Sequence, residues 1–288
     1  MMIKALLTSI MLLAAVTTAT AQRDFNERDE SNQTYQLEPG ARVEVSSIRG
    51  GVKIVNADGP TASVQIIRTA RTRADLEYHK VEVRQTGNSL VVRGVQEPEE
   101  RRERNIQVNH QVILTLPRRI ELSINSISGS LNAGEVDGPV RVNSISGSVN
   151  IGNLLAKLEV NSVSGSVEVG NVNADVRVSS VSGNVRLGEV NGALNVSSVS
   201  GGVKTTLVSL SPEGIRINSV SGSVEIAFKS DINAEFSATG ISGQVYLDVP
   251  NVIRESEEKS PNVRARIGAG GTSITVTSVS GNVRLTRS

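Results

Sequence analysis

The apolar positions of this chain fall into columns once its repeats are aligned. VNSISGSVNIGNLLA (142–156) is followed 18 residues later by VNSVSGSVEVGNVNA and, after another 18, by VSSVSGNVRLGEVNG. Aligned on the glycine of S-x-S-G, copies stand 18 apart at Gly129, Gly147, Gly165, Gly183 and Gly201, then 21 apart at Gly222 and Gly243, with a last copy at Gly281. ARVEVSSIRGGVKIVNADG (41–59) is an early, isolated copy with Gly50 in the key position. A fixed period of this kind is the mark of a stacked array.

Six columns of each 18-residue unit are apolar. They lie two and four residues after the glycine (Val149 and Ile151), seven after it (Leu154), and seven, five and two before it (Val140, Val142 and Ile145). Spacing by two predicts short strands and a bent connection, and helical spacing by three and four is absent. One such unit cannot bury its own apolar stripe. Stacked about 4.8 Å apart, as neighbouring strands are, equivalent positions superpose and all six columns are expected to form one aliphatic interior. The expected fold is therefore all-β: a single parallel β-solenoid, or β-helix, with coils of about 18 residues and an irregular β portion before it. A β-propeller is the alternative, but its blades need roughly 40 residues or more.

The glycines fit that layout. A coil that turns its corners in so few residues needs positions without a Cβ, for positive φ or for close packing. Gly134, Gly152, Gly170 and Gly188 meet a similar need at the next corner.

The rest of the chain divides by pattern. MMIK, the apolar run ALLTSIMLLAAV and Ala19-Thr20-Ala21 read as a signal peptide over 1–21, with cleavage near Ala21. Residues 22–33, QRDFNERDESNQ, read as a loose polar tail. Residues 34–120 alternate less regularly and are expected to form a β region capping the solenoid, with a hairpin at Thr86-Gly87-Asn88 and a solvated charge run at 97–104. The regular repeats occupy 121–288, with a charged, Pro- and Gly-bearing excursion at 248–271 expected as a surface loop or short hairpin. Arg284 and Arg287, near the end of the last repeat, are expected to discourage fibre-like stacking there.

Composition narrows function. Three Phe, three Tyr and no Trp leave Val, Ile and Leu to build the core. With 30 Lys plus Arg against 29 Asp plus Glu, and few rings for stacking, nucleic acid is not an expected partner. No Cys is present, which excludes disulfides and thiolate metal sites. The two His, His79 and His110, show no metal-type spacing, the many Ser are interchangeable copies rather than one nucleophile beside a base, and no cofactor is expected. The chain is read as non-catalytic.

The candidate recognition feature is polar. Asn125, Asn143 and Asn161, each followed by a serine, begin two columns before the glycines, and the serine column runs Ser126, Ser144, Ser162, Ser180, Ser198 and Ser219. Stacked Asn and Ser are expected to hydrogen-bond along the axis and satisfy corner backbone groups. They also offer a ladder for a regularly spaced partner such as a glycan.

ARVEVSSIRGGVKIV, GNSLVVRG, VILTLPRRIELSINSISGSL and the recurring S-V-S-G-x-V units together resemble the bacterial putative adhesins with β-strand repeats, a domain of unknown function found outside the cytoplasm. The resemblance covers about residues 35 to 288. It implies an interaction module of the periplasm or cell surface and brings no catalytic or ligand-binding residues with it. The expectation is an exported scaffold, periplasmic or extracellular, with no transmembrane segment in the mature chain and an envelope protein or glycan as partner. End-to-end self-assembly as a structural envelope protein is the alternative, and a polysaccharide-active β-helix enzyme comes third.

Overall fold

The computed structural model describes residues 27–57, 59–96, 108–240, 242–256 and 262–288. The signal segment expected over 1–21 and the charge run at 97–104 lie outside the described residues. The architecture is a single stack of parallel β coils.

One coil shows how the repeat folds. In the Gly165 coil, Leu158–Ser164 forms a strand, the glycine turns the chain, Val167–Val169 forms a second strand, and Val172 bridges the coils on either side. Along the first strand Leu158, Val160 and Ser162 point inward, because successive side chains of a strand alternate between its faces. Val167, Val169 and Val172 complete the interior. Leu158 pairs with Val140 in one neighbouring coil and Val176 in the other, so every inward column continues unbroken along the axis. Burial of an aliphatic side chain contributes about 1.5–3 kcal/mol, and each coil repeats that gain against the next.

The S-x-S-G glycine is fixed by two constraints at once. Gly165 has φ of 118°, where L side chains are strained. A Cβ there would also stand 2.3 Å from the Gly147 carbonyl oxygen. At the next corner the reason is space alone: a Cβ on Gly170 would lie 2.7 Å from Asn153 Oδ1.

Five of the six apolar columns form the core, and the sixth does not. Val163 and Val181, two residues before their glycines, are 50% and 49% exposed. The reason is parity. Positions seven and five before the glycine share a face with position three, which is serine, while position two belongs to the opposite face. The serine expected on a polar ladder therefore enters the core, and the valine expected in the core faces out.

The order of coils departs from chain order at both ends. Ala41–Asn56 lies parallel to Ile120–Ser128 and Leu131–Ala133 on one side and to Ser89–Gln96 and Val108–Leu116 on the other. The isolated Gly50 copy is thus stacked directly on the Gly129 coil, with the layer of Ser89–Gln96 and Val108–Leu116 beyond it. Outside it, His79–Thr86 folds back antiparallel on Ser89–Gln96 through the expected hairpin, with Gly87 at φ 56°. Thr61–Ala70 runs antiparallel to Val108–Leu116.

At the other end Thr272–Ser280 inserts between Val203–Ser221 and Ala234–Thr239, and Val283–Arg287 inserts between Val224–Phe228 and Val245–Asp248. The stacking order is Gly222, Gly281, Gly243. The last repeat is therefore interior, and Arg284 and Arg287 do not guard a free end: Arg284 lies 5.0 Å from the centre of the Tyr246 ring, and Arg287 pairs with Asp231. Within the excursion at 248–271, Val252–Arg254 and Val263–Ile267 form an antiparallel pair, and the second of these also covers Ala234–Thr239.

Part of the expected polar tail is also ordered. Glu27–Gln36 is a strand antiparallel to Thr61–Ala70. A polar strand suits an edge, where backbone pairing needs no apolar face; here Asp29 pairs with Arg68, and Gln65 Nε2 donates to Glu30 Oε1 at 2.6 Å. The one helix among the described residues, Arg73–Tyr78, is capped by Thr72, whose Oγ1 accepts from the Asp75 N–H at 3.3 Å.

Candidate functional site

The outward-facing Ile/Val column is the most unusual surface of the molecule. Ile127, Ile145, Val163, Val181, Val199, Val220 and Val279 follow one another through seven coils in stacking order. From Ile145 onward each is between 48% and 57% exposed. Isolated apolar side chains on a surface are ordinary, whereas a contiguous patch of them marks an interaction site. Half exposure forgoes about 1 kcal/mol of burial per residue, and the forfeit is repeated coil after coil.

These side chains form one wall of a groove of about 670 Å³ that runs along the axis. The residues four before each glycine make the opposite wall: Asn125, Asn143, Asn161, Ser179, Ser197 and Asn218. The backbone of the serine column lies between them. Among the described residues no ionisable side chain lines the groove.

The asparagines are held in place along the axis. Asn143 Nδ2 donates to Asn125 Oδ1 at 2.7 Å, and Asn161 Nδ2 to Asn143 Oδ1 at 2.9 Å. The amide ladder expected from the sequence is present, and it spends donors and acceptors on itself. The corners show the same economy: Asn153 Oδ1 accepts from the Asn171 N–H, and Asn171 Oδ1 from the Glu189 N–H, each at 2.9 Å.

The serine column behaves differently from its expectation. Ser126, Ser144, Ser162, Ser180, Ser198 and Ser219 are all 3–4% exposed. The Oγ atoms of Ser162, Ser180 and Ser219 are sealed from solvent without a hydrogen-bond partner, so no serine ladder forms there. These hydroxyls sit beneath the groove rather than in it. The expected polar ladder thus splits between two faces, Asn on the groove wall and Ser in the core. The glycines Gly50, Gly129, Gly147, Gly165, Gly183, Gly201, Gly222, Gly281 and Gly243 stack at one corner as structural elements.

One local irregularity ends the groove. Ser47 has φ of 58°, and the register of Ala41–Asn56 slips there, so that Ile48 pairs with Ser126 and is fully buried. In this coil the isoleucine of the motif fills the interior, and Ser47 lines the groove's end. The signal for the Ile/Val wall was available in the sequence as the parity of position two, together with its unbroken β-branched identity.

A second cluster lies in the N-terminal cap. His79 and His110 are 8% and 3% exposed, with rings 6.3 Å apart and edge to face. Arg68 Nη1 donates to the carbonyl oxygens of Leu76 at 2.8 Å and His79 at 3.1 Å. Burial lowers the His110 pKa from its ordinary 6.5. Among the described residues no three His, Asp or Glu come together as a metal site would require. No described helix is long and apolar enough to cross a membrane.

Comparison with known proteins adds a family. The family model described as Toastrack DUF4097 matches residues 41–286. Among solved structures, a putative adhesin from Bacteroides fragilis aligns over 89% of this chain and 97% of its own, at 12% identity and a TM-score of 0.49. A putative lipid binding protein from Parabacteroides distasonis aligns over 89% and 96%, at 12% identity and a TM-score of 0.40. No curated protein matches the chain.

Proposed function

The chain belongs to the Toastrack DUF4097 family, and on that premise we propose that it is an exported, non-catalytic interaction module of the cell envelope or surface that engages its partner through the axial groove. The observation that carries this reading is the Ile/Val wall. Six successive coils hold a β-branched apolar side chain half in water at one position, beside a neutral wall of Asn and Ser. Strand propensity favours a β-branched residue at such a position, but Thr would meet that preference as well; an unbroken Ile/Val run instead leaves a contiguous apolar patch, which marks an interaction site.

End-to-end self-assembly has less support, because antiparallel strands cover the first coils and most of the last, leaving the short Val245–Asp248 paired on one side among the described residues.

Site-specific photo-crosslinking in the native cell envelope tests the proposal. A crosslinker placed at Val181 is expected to capture envelope material, and one at Glu168, exposed on another side of the same stack, is expected not to. Equal capture at both positions, or none at Val181, would refute a groove-based role.

A further inference from the structure

We propose that the groove is built for one linear aliphatic chain, the acyl tail of a single-chain lipid taken from the aqueous side. This rests on the groove being the binding face and names what occupies it.

Dimensions argue first. Six steps separate Ile127 from Val279 through the stack, which at ~4.8 Å per step gives a trough about 29 Å long. A bilayer core about 30 Å thick holds two opposed acyl leaflets, so one membrane-length tail fits within the trough with room to spare. The walls stand two residues apart on each strand, about 7 Å. That is narrower than a helix with its side chains, ~10–12 Å, and close to the ~8 Å spanned by a chain one carbon thick that contacts both walls at about 4 Å, so such a chain seats along the tops of the walls.

Chemistry removes the other occupants. An extended peptide binds by adding to an open sheet edge. Here the trough crosses the middle of strands paired on both sides. A glycan is favoured by rings on which its faces stack, and among the described residues no ring lines the trough, while the Asn125, Asn143 and Asn161 amides are already tied to one another. A second copy of this chain would gain too little. Six half-exposed Ile and Val, with the partly buried Ile127, present on the order of 500 Å², short of the ~800 Å² that each partner gives a standard interface. A neutral trough likewise has nothing to attract a charged occupant.

The test is equilibrium dialysis of the full chain against lysophosphatidylcholines with saturated tails of ten, twelve and fourteen carbons, below their micelle concentrations. Affinity is expected to rise about twofold per added CH₂, as half-covered methylenes should give. It is expected to saturate near one lipid per chain and to change little with salt. Val181→Asp should weaken binding at least tenfold and Val181→Ser about threefold, with melting unchanged.

Absence of lysolipid binding, or binding indifferent to both substitutions, would overturn the acyl proposal. So would binding to phosphatidylcholine vesicles without binding to monomeric lysolipid, which would point to a membrane surface. A dimer abolished by Val181→Asp, without lipid binding, would identify a second copy instead. If crosslinking at Val181 captures a partner while lysolipid fails to bind, the groove reading survives and this inference alone is lost.

Discussion

The middle of the stack and its two ends use the same contacts in opposite ways. Between Gly129 and Gly222 each coil lies on the one just before it in the chain, with pairing partners mostly 18 residues apart, as Arg141 and Glu159 are. At the ends, strands far apart in sequence meet: Arg42 pairs with Glu121 across 79 residues, and Thr239 with Thr277 across 38. Local stacking makes the middle repetitive, while distant strands close the ends. The difference teaches that coil geometry and coil order are separate properties of the sequence. The repeat specifies the first, and the non-repeating segments specify the second.

Removing 272–288 should have the largest effect, because it withdraws a layer paired on both sides. The remaining chain is expected to lose more stability than any single substitution causes and to self-associate through the exposed parallel edge. Light scattering and thermal melts would check this, and a monomer with an unchanged melt would show that the ends do not depend on the inserted layer.

Next come paired glycine substitutions, Gly165→Val in the middle and Gly50→Val at the end. The added Cβ would meet backbone oxygen at 2.3 Å in the first and 1.9 Å in the second, and φ is positive in both. Each should lose at least about 4 kcal/mol or fail to fold. If only the middle variant suffered in denaturant titrations, the two regions would not share one corner geometry.

A smaller effect separates inside from outside within one coil. Val160→Ala should cost about 2–3 kcal/mol, and Val163→Ala less than about 0.5, by chemical denaturation. Ionisation then distinguishes the regions again. His110 is buried with a pKa below 6.5, so as pH falls below 6.5 the unfolded state takes up its proton first and stability declines. Hydrogen exchange along Val108–Leu116 should therefore quicken between pH 6.5 and 5.5 relative to Leu158–Ser164, which packs no histidine. Ser180→Ala is expected to be the mildest change: removing a sealed, unpartnered hydroxyl should leave stability equal or raise it by up to about 1 kcal/mol.

The period of the repeat made the coil legible from sequence, including its corner glycines and five inward columns. What the repeat pattern does not show is of two physical kinds. The first was face assignment. Hydrophobicity alone placed Val163 in the core, yet a two-residue alternation counted from Leu158 and Val160 puts it outside and Ser162 inside. A reading by hydrophobicity alone hides the groove, since it counts the apolar wall as core. The second was order along the axis. Nothing in the Gly281 unit distinguishes a coil that ends the stack from one inserted within it, because either neighbour offers the same Val, Ser and Gly partners. The strand Glu27–Gln36 was obscure for a related reason: its partner is backbone, and its side chains carry no apolar pattern.

The burying of the final repeat one layer inside has a mechanical consequence. A tug on Val283–Arg287 meets two ladders of parallel bonds loaded together, one on each flank. Unravelling from that side must begin by tearing both, rather than by peeling one layer at a time.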